Sequence, residues 1–145
     1  MTKPIIWEAP DSIKKKSKLT QFLKYCNVSN YDDLEKKSFS DPGWLWDNVI
    51  KFSDLKFYNP YKKILDETKG APWSKWCVGG TTNIVLNCVD RHKDKDFFKE
   101  TFIYSEREDG KESSITYEEF DKQISKVGNS LKINGFKKGD VIALY

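Results

Sequence analysis

The chain has a single histidine and only three cysteines among its 145 residues, and that scarcity removes several chemistries at once. Cys26, Cys77 and Cys88 form no C-x-x-C pair and are odd in number, so they read as reduced thiols in a cytosolic protein and not as a disulfide framework. His92 has no second metal-ligand type at a useful spacing, which argues against a zinc site. No apolar run approaches the length of a membrane span, and the N-terminus lacks the apolar core of a signal peptide. The expectation is a cytoplasmic protein with no membrane partner. Also missing are an arginine cluster, an RNA-binding aromatic motif, any internal repeat and any low-complexity tract. Nucleic acid is therefore not expected as a partner.

What is present is aromatic and charged. Aromatic residues make up 14% of the chain, including five tryptophans, which is enough large apolar surface to build a core. Charged residues make up 32% and mean hydropathy is −0.69, so that core is expected to be small and heavily covered. The net charge of +3 is spread along the chain. Its only basic triplet, Lys14-Lys15-Lys16, lies just before Leu19, Phe22 and Leu23 and reads as a solvated helix face. At this length the chain is one domain, or one domain's worth of a larger protein.

The first third reads as short helices. Pro10-Asp11-Ser12 can start one, with Leu19, Phe22, Leu23 and Cys26 recurring at helical spacing. Asn30 can cap a second through Leu34, and Asp41-Pro42 can start a third whose apolar face is Leu45, Trp46, Val49, Ile50 and Phe52. From Phe57 to Lys75 the period is lost, and Pro60, Gly70 and Pro72 predict mostly extended or irregular chain. Asn83 to about Arg91 reads as a buried helix. Phe102–Arg107 and a return to Ile115 read as strands joined at Asp109-Gly110, a hairpin turn signal.

Thr116-Tyr117-Glu118-Glu119 has capping-box spacing, and the helix beyond carries Phe120, Ile124, Val127 and Leu131 on one stripe, with a stop at Gly135. Lys137 to Asp140 turns into Val141–Tyr145, which is continuously apolar and β-prone, as in a strand buried within a parallel sheet. The expected class is α/β: short N-terminal helices, an irregular Trp-rich segment, a β-hairpin, one long amphipathic helix and the first strand of a mostly parallel sheet.

Three groups of residues invite a chemical reading. Gly79-Gly80-Thr81-Thr82 before a helix could hold an anion on successive backbone N–H groups, but no lysine follows at P-loop spacing. A turn that lets the backbone pass close to the tryptophans is the better account. Asp90-Arg91-His92 lacks a nucleophile to complete a triad; its cations suit a helix C-terminus. Trp73 and Trp76, three apart, could bracket a ligand, and more simply anchor an irregular segment to a neighbouring surface. The carboxylates of Glu106-Arg107-Glu108-Asp109 are those of a solvated hairpin tip.

Five blocks in order resemble the acetyl-CoA synthetase family of AMP-forming acyl-CoA synthetases. The specific one runs from Pro72 to His92, PWSKWCVGGTTNIVLNCVDRH, similar to the family's Trp-x-x-Trp-Phe-x-Gly-Gly-x-x-Asn-x-x-x-Asn-Cys-x-Asp-Arg-His, with Cys77 where phenylalanine is usual. Before it lie Trp7–Phe22 and Asp41-Pro42 with Trp46. After it, ITYEEF (115–120) and KGDVIALY (138–145) resemble blocks found in adenylating enzymes generally.

The resemblance implies a mainly helical N-terminal segment over residues 1–100 and the start of an AMP-binding, adenylating domain over 101–145. It implies a parent ligase that joins a carboxylate to coenzyme A through an acyl-adenylate, using ATP, Mg and coenzyme A. The family's catalytic, cofactor and metal residues match no position here, so none is assigned and no cofactor is expected on this chain alone. Trp73, Trp76, Gly79, Gly80, Asn83, Asn87, Asp90 and Arg91 become a structural signature that fastens this segment to the adenylating domain. The implied partner is the remainder of the synthetase, in the same chain or a second one; self-association through Val141–Tyr145 is the other expectation. A stand-alone interaction or regulatory module derived from such an enzyme is the alternative, and a small ligand-binding domain using the tryptophans is a third.

Overall fold

A computed structural model describes residues 6–144, which form two compact units, 6–82 and 83–144. The first opens with α1 (Asp11–Lys16) and α2 (Lys18–Tyr25). One continuous helix was expected here, but Ser17 takes extended angles (φ −65°, ψ 147°) and its hydroxyl accepts from Thr20 N at 3.1 Å. Serine competes with the helix as a cap, and the Thr20 hydroxyl holds the break by donating to Lys14 O at 2.6 Å. Asn30 caps α3 (Tyr31–Ser40), accepting from Asp33 N at 2.9 Å. This helix runs past Leu34 because no breaker intervenes before Asp41-Pro42. Asp41 then caps α4 (Pro42–Phe52), accepting from Trp44 N at 2.8 Å with Pro42 in the first turn.

The core of this unit is narrow. Phe22 and Leu34 are its buried side chains among the described residues, and Phe22 meets Phe52 edge-on at 5.2 Å. Strand β1 (Lys63–Asp66) pairs antiparallel with β2 (Lys75–Val78), Lys63 opposite Val78 and Asp66 opposite Lys75. Phe57–Lys75 was expected to be mostly extended or irregular chain, and within it Lys63–Asp66 is a paired strand. Trp76 is a strand residue, and Trp73 ends a short 3-10 turn, Ala71–Trp73, after Gly70 at φ +85°. Four-residue strands are too short to show a two-residue period, so the pairing was not legible.

In the second unit Asn83 caps α5 (Ile84–Cys88), accepting from Val85 N at 2.9 Å. The helix stops short of Arg91: Val89 leaves helical angles (φ −127°) and Asp90–His92 form a 3-10 turn. Burial is also narrower than expected, with Val89 2% exposed but Ile84 77% exposed. The hairpin forms as read, β3 (Thr101–Glu106) against β4 (Glu112–Thr116), Ile103 opposite Ile115. Gly110 N donates to Arg107 O at 2.9 Å and Arg107 N to Lys111 O at 3.0 Å, with Gly110 at φ +75°; a side chain there would be strained.

The capping box is complete. Glu119 N donates to the Thr116 hydroxyl at 3.2 Å and Thr116 N to the Glu119 carboxylate at 2.9 Å, opening α6 (Tyr117–Ile133). Gly135 at φ +84° follows its end. Tyr117 is the hub of an aromatic cluster, its ring centroid 4.3 Å from Phe102 and 5.6 Å from Phe97.

The expected first strand of a parallel sheet is not seen among the described residues. Among the described residues both sheets are two-stranded and antiparallel, and residues 141–144 join no ladder. Tyr145 lies outside the described residues. A strand exists only against a partner, and none of the described residues forms a ladder with this segment.

Candidate functional site

The signature residues fall into both units. Trp73, Trp76, Gly79 and Gly80 belong to residues 6–82; Asn83, Asn87, Asp90 and Arg91 belong to 83–144. They therefore do not make one described site, and each half is built separately.

In the first unit, β2 presents Trp76 to α4. The ring meets Trp46 edge-on at 6.2 Å with planes at 73°, and Ile50 and Cys77 complete a cleft of ≈350 Å³ with no charged residue in its lining. The cleft is open: Trp46 is 48% exposed and Trp76 46%. Trp73 stands further out, at 70%. Cys77 occupies the left-handed region at φ +49°, and burial pushes its thiol above the usual range, so it stays protonated at neutral pH.

The two glycines have separate reasons. Gly79 sits at φ +80°. At Gly80 a Cβ would lie 3.1 Å from Cys77 O, 3.1 Å from Tyr61 Cβ and 3.2 Å from Phe57 Cδ1, so the absence of a side chain is what lets the chain pass. The anion-loop reading gains nothing from this turn. Gly80 N is used internally, donating to Cys77 O at 2.9 Å, and Thr81 N donates to Asn59 O at 3.0 Å.

Behind the turn, the Tyr61 phenol donates to Asp47 Oδ1 at 2.5 Å, and Lys51 bonds the other oxygen at 2.6 Å. Burial and the Asp47 hydrogen bond push the Tyr61 phenol up to about 12, which leaves it no role as a proton donor near neutrality. Sequence reasoning missed this group, because nothing local links positions 47 and 61; a tyrosine and an aspartate at that separation carry no pattern.

In the second unit Asn83 is a helix cap, and Asn87 Nδ2 reaches Asn83 O at 3.4 Å. Asp90 bonds Lys93 at 2.9 Å, and Lys93 also holds Asp121 of α6 at 3.0 Å, so the lysine ties the 3-10 turn to the long helix. These two carboxylates hold the Lys93 ammonium pKa above its ordinary value. His92 lies among rings, 5.3 Å from Phe97 and 6.3 Å from Tyr117. Aromatic packing accounts for the histidine.

Among the described residues no group of three or more His, Cys, Asp or Glu side chains could hold a metal ion, and no helix is long and apolar enough to cross a membrane. Among the described residues the arrangement offers exposed apolar side chains and ion-paired turns.

Residues 31–88 match the family described as the acetyl-coenzyme A synthetase N-terminus. The chain is 34% identical over 119 residues to the acetyl-coenzyme A synthetase of Chlorobaculum tepidum, covering 82% of this chain and 18% of that protein. It is 32% identical over 144 residues to that of Methanothrix soehngenii, covering 97% and 21%. It is also 32% identical over 119 residues to the 3-hydroxypropionyl-coenzyme A synthetase of Sulfurisphaera tokodaii, covering 82% and 18%. The chain thus spans about a fifth of the length of the curated relatives it matches. By its sequence the chain belongs to the acetyl-coenzyme A synthetase family, and it corresponds to that family's N-terminal region.

Proposed function

We propose that this region is the packing segment of an acid–coenzyme A ligase: it docks against the adenylating domain and performs no chemistry alone. The ligase's reaction is carboxylate plus ATP plus coenzyme A giving acyl-coenzyme A, AMP and pyrophosphate. The observation that carries the reading is the amount of surface left open. Large apolar side chains stand open to water, Trp73 at 70%, Val127 at 60% and Ile133 at 85% exposed. Exposed apolar side chains of this kind favour a partner.

The residues described here include no Ser/Thr/Gly-rich loop followed by lysine, so the handling of ATP, Mg and coenzyme A falls to the remainder of the ligase, as does the choice of acid. A cytoplasmic setting follows from the same reading. The test is to produce the chain with and without the downstream portion of the ligase and to assay AMP formation dependent on a carboxylic acid. Activity is expected only for the pair. AMP formation by the chain alone, or none by the pair, overturns the proposal.

A further inference from the structure

We infer that the cleft between Trp46 and Trp76 seats one large apolar side chain supplied by the remainder of the ligase, as an anchor that acts within a single enzyme molecule; this rests on the function proposed above. The chemistry of the occupant follows from the lining. Two indole rings, Ile50 and Cys77 surround ≈350 Å³ without a charged group, so a charged or strongly polar occupant would lose its hydration with nothing in return. That volume suits a single aromatic or branched aliphatic side chain, which would complete the edge-to-face pair with a third partner.

The source of the occupant follows from area. Trp46 and Trp76 are each about half exposed, which leaves roughly 100 Å² of each ring available. A stable complex of two separate molecules needs about 800 Å² on each side. The cleft falls well short, so it cannot by itself hold a second copy of the chain. A side chain carried by the same polypeptide or assembly does not face that requirement, because linkage raises its effective concentration to the millimolar range. Relatives of which this chain spans 18–21% have ample further chain to supply it.

The test places a carboxylate in the cleft. Cys77→Asp keeps the backbone of the free chain, because aspartate tolerates the left-handed φ of +49°. Burial and the nearby Asp47 charge, which raise the Cys77 thiol, will lower the melting temperature of the variant, so wild type and variant are compared at a temperature where both chains are folded. Titrated against the downstream portion of the ligase, the variant should need at least about ten-fold more chain for half-maximal AMP formation, because the carboxylate must be desolvated on docking. Cys77→Asn, neutral and of the same shape, should fall between the two.

Equal complementation by wild type and Cys77→Asp overturns the inference and leaves the proposed function standing. No activity from the wild-type pair instead removes the function on which it rests. Concentration-dependent dimerisation of the wild-type chain that Cys77→Asp abolishes would show a second copy in the cleft, and that also overturns it. Should Cys77→Asp fail to fold, Ile50→Asp on the opposite wall gives the same readings.

Discussion

The Tyr61 phenol donates to Asp47 Oδ1 at 2.5 Å across fourteen positions of sequence, fastening the segment that leads into β1 to the middle of α4. Burial alone would raise the Asp47 carboxyl, but hydrogen bonds from Lys51 and Tyr61 outweigh it and hold the carboxyl below its ordinary range. Burial and the same hydrogen bond raise Tyr61 to about 12.

These shifts give opposite pH dependences. A phenol raised in the folded state contributes fully below its unfolded value near 10 and loses that contribution as pH climbs through about 12. A carboxyl lowered in the folded state contributes above about 4 and loses its contribution as pH falls. Tyr61→Phe should cost about 1 kcal/mol at pH 8. The gap between wild type and variant should close between pH 10 and 12. Equilibrium urea unfolding across that range measures it. A gap unchanged up to pH 12 would contradict the assigned hydrogen bond.

Two glycines should respond to alanine with opposite signs. Gly80→Ala places a Cβ 3.1 Å from a backbone carbonyl, Cys77 O, which cannot move aside cheaply, and should destabilise by about 1–3 kcal/mol. Gly128 is inside α6 with nothing within 4 Å of its would-be Cβ, so Gly128→Ala should stabilise by about 1 kcal/mol through helix propensity. Thermal melting of the two variants side by side decides it, and shifts of the same sign would refute the local geometry.

How much of this was legible depends on how local each signal is. The Asp41-Pro42 start, the Asp109-Gly110 turn and the Thr116–Glu119 box each settle structure within four residues, and each formed as read. Ser17 splits the expected helix between its start at Asp11 and the stripe of Leu19, Phe22 and Leu23, which keeps its spacing inside α2, because a cap wins locally without disturbing the pattern beyond it. The β1–β2 pairing and the Asp47–Tyr61 bond are non-local; they depend on what the fold brings together, and no spacing announces them. The pattern at Val141–Leu144 carries the opposite lesson: apolar alternatives to water must come from a partner, and the sequence of the strand does not supply one.

The reciprocal cap of α6 should be measurable by itself. In Thr116→Ala the N–H of Glu119 loses its hydroxyl acceptor, and Glu119 loses one of the two groups it bonds. The expected cost is about 1 kcal/mol. Hydrogen bonds to the backbone and hydroxyl of Thr116 lower the Glu119 carboxyl, so the contribution should be present above about pH 4 and fade as the carboxyl is protonated. Amide hydrogen exchange in the first turn of α6 provides the reading; unchanged protection in Thr116→Ala would mean that tertiary packing, not the cap, holds the helix start.

The segment after the Lys137–Asp140 turn should control self-association when the chain is alone. Val141 is 94% exposed and Leu144 96%, and neither lies in a hydrogen-bonded ladder. Four consecutive apolar residues that join no ladder among the described residues make a template for pairing with another copy. Sedimentation velocity should therefore show an average mass that rises with concentration, and Val141→Lys with Leu144→Lys should suppress the rise by adding like charges on the segment. In the presence of the downstream portion the wild-type chain should lose this behaviour, since the same residues would then be covered. A monodisperse, cooperatively melting wild-type monomer at all concentrations would rule out association through this segment.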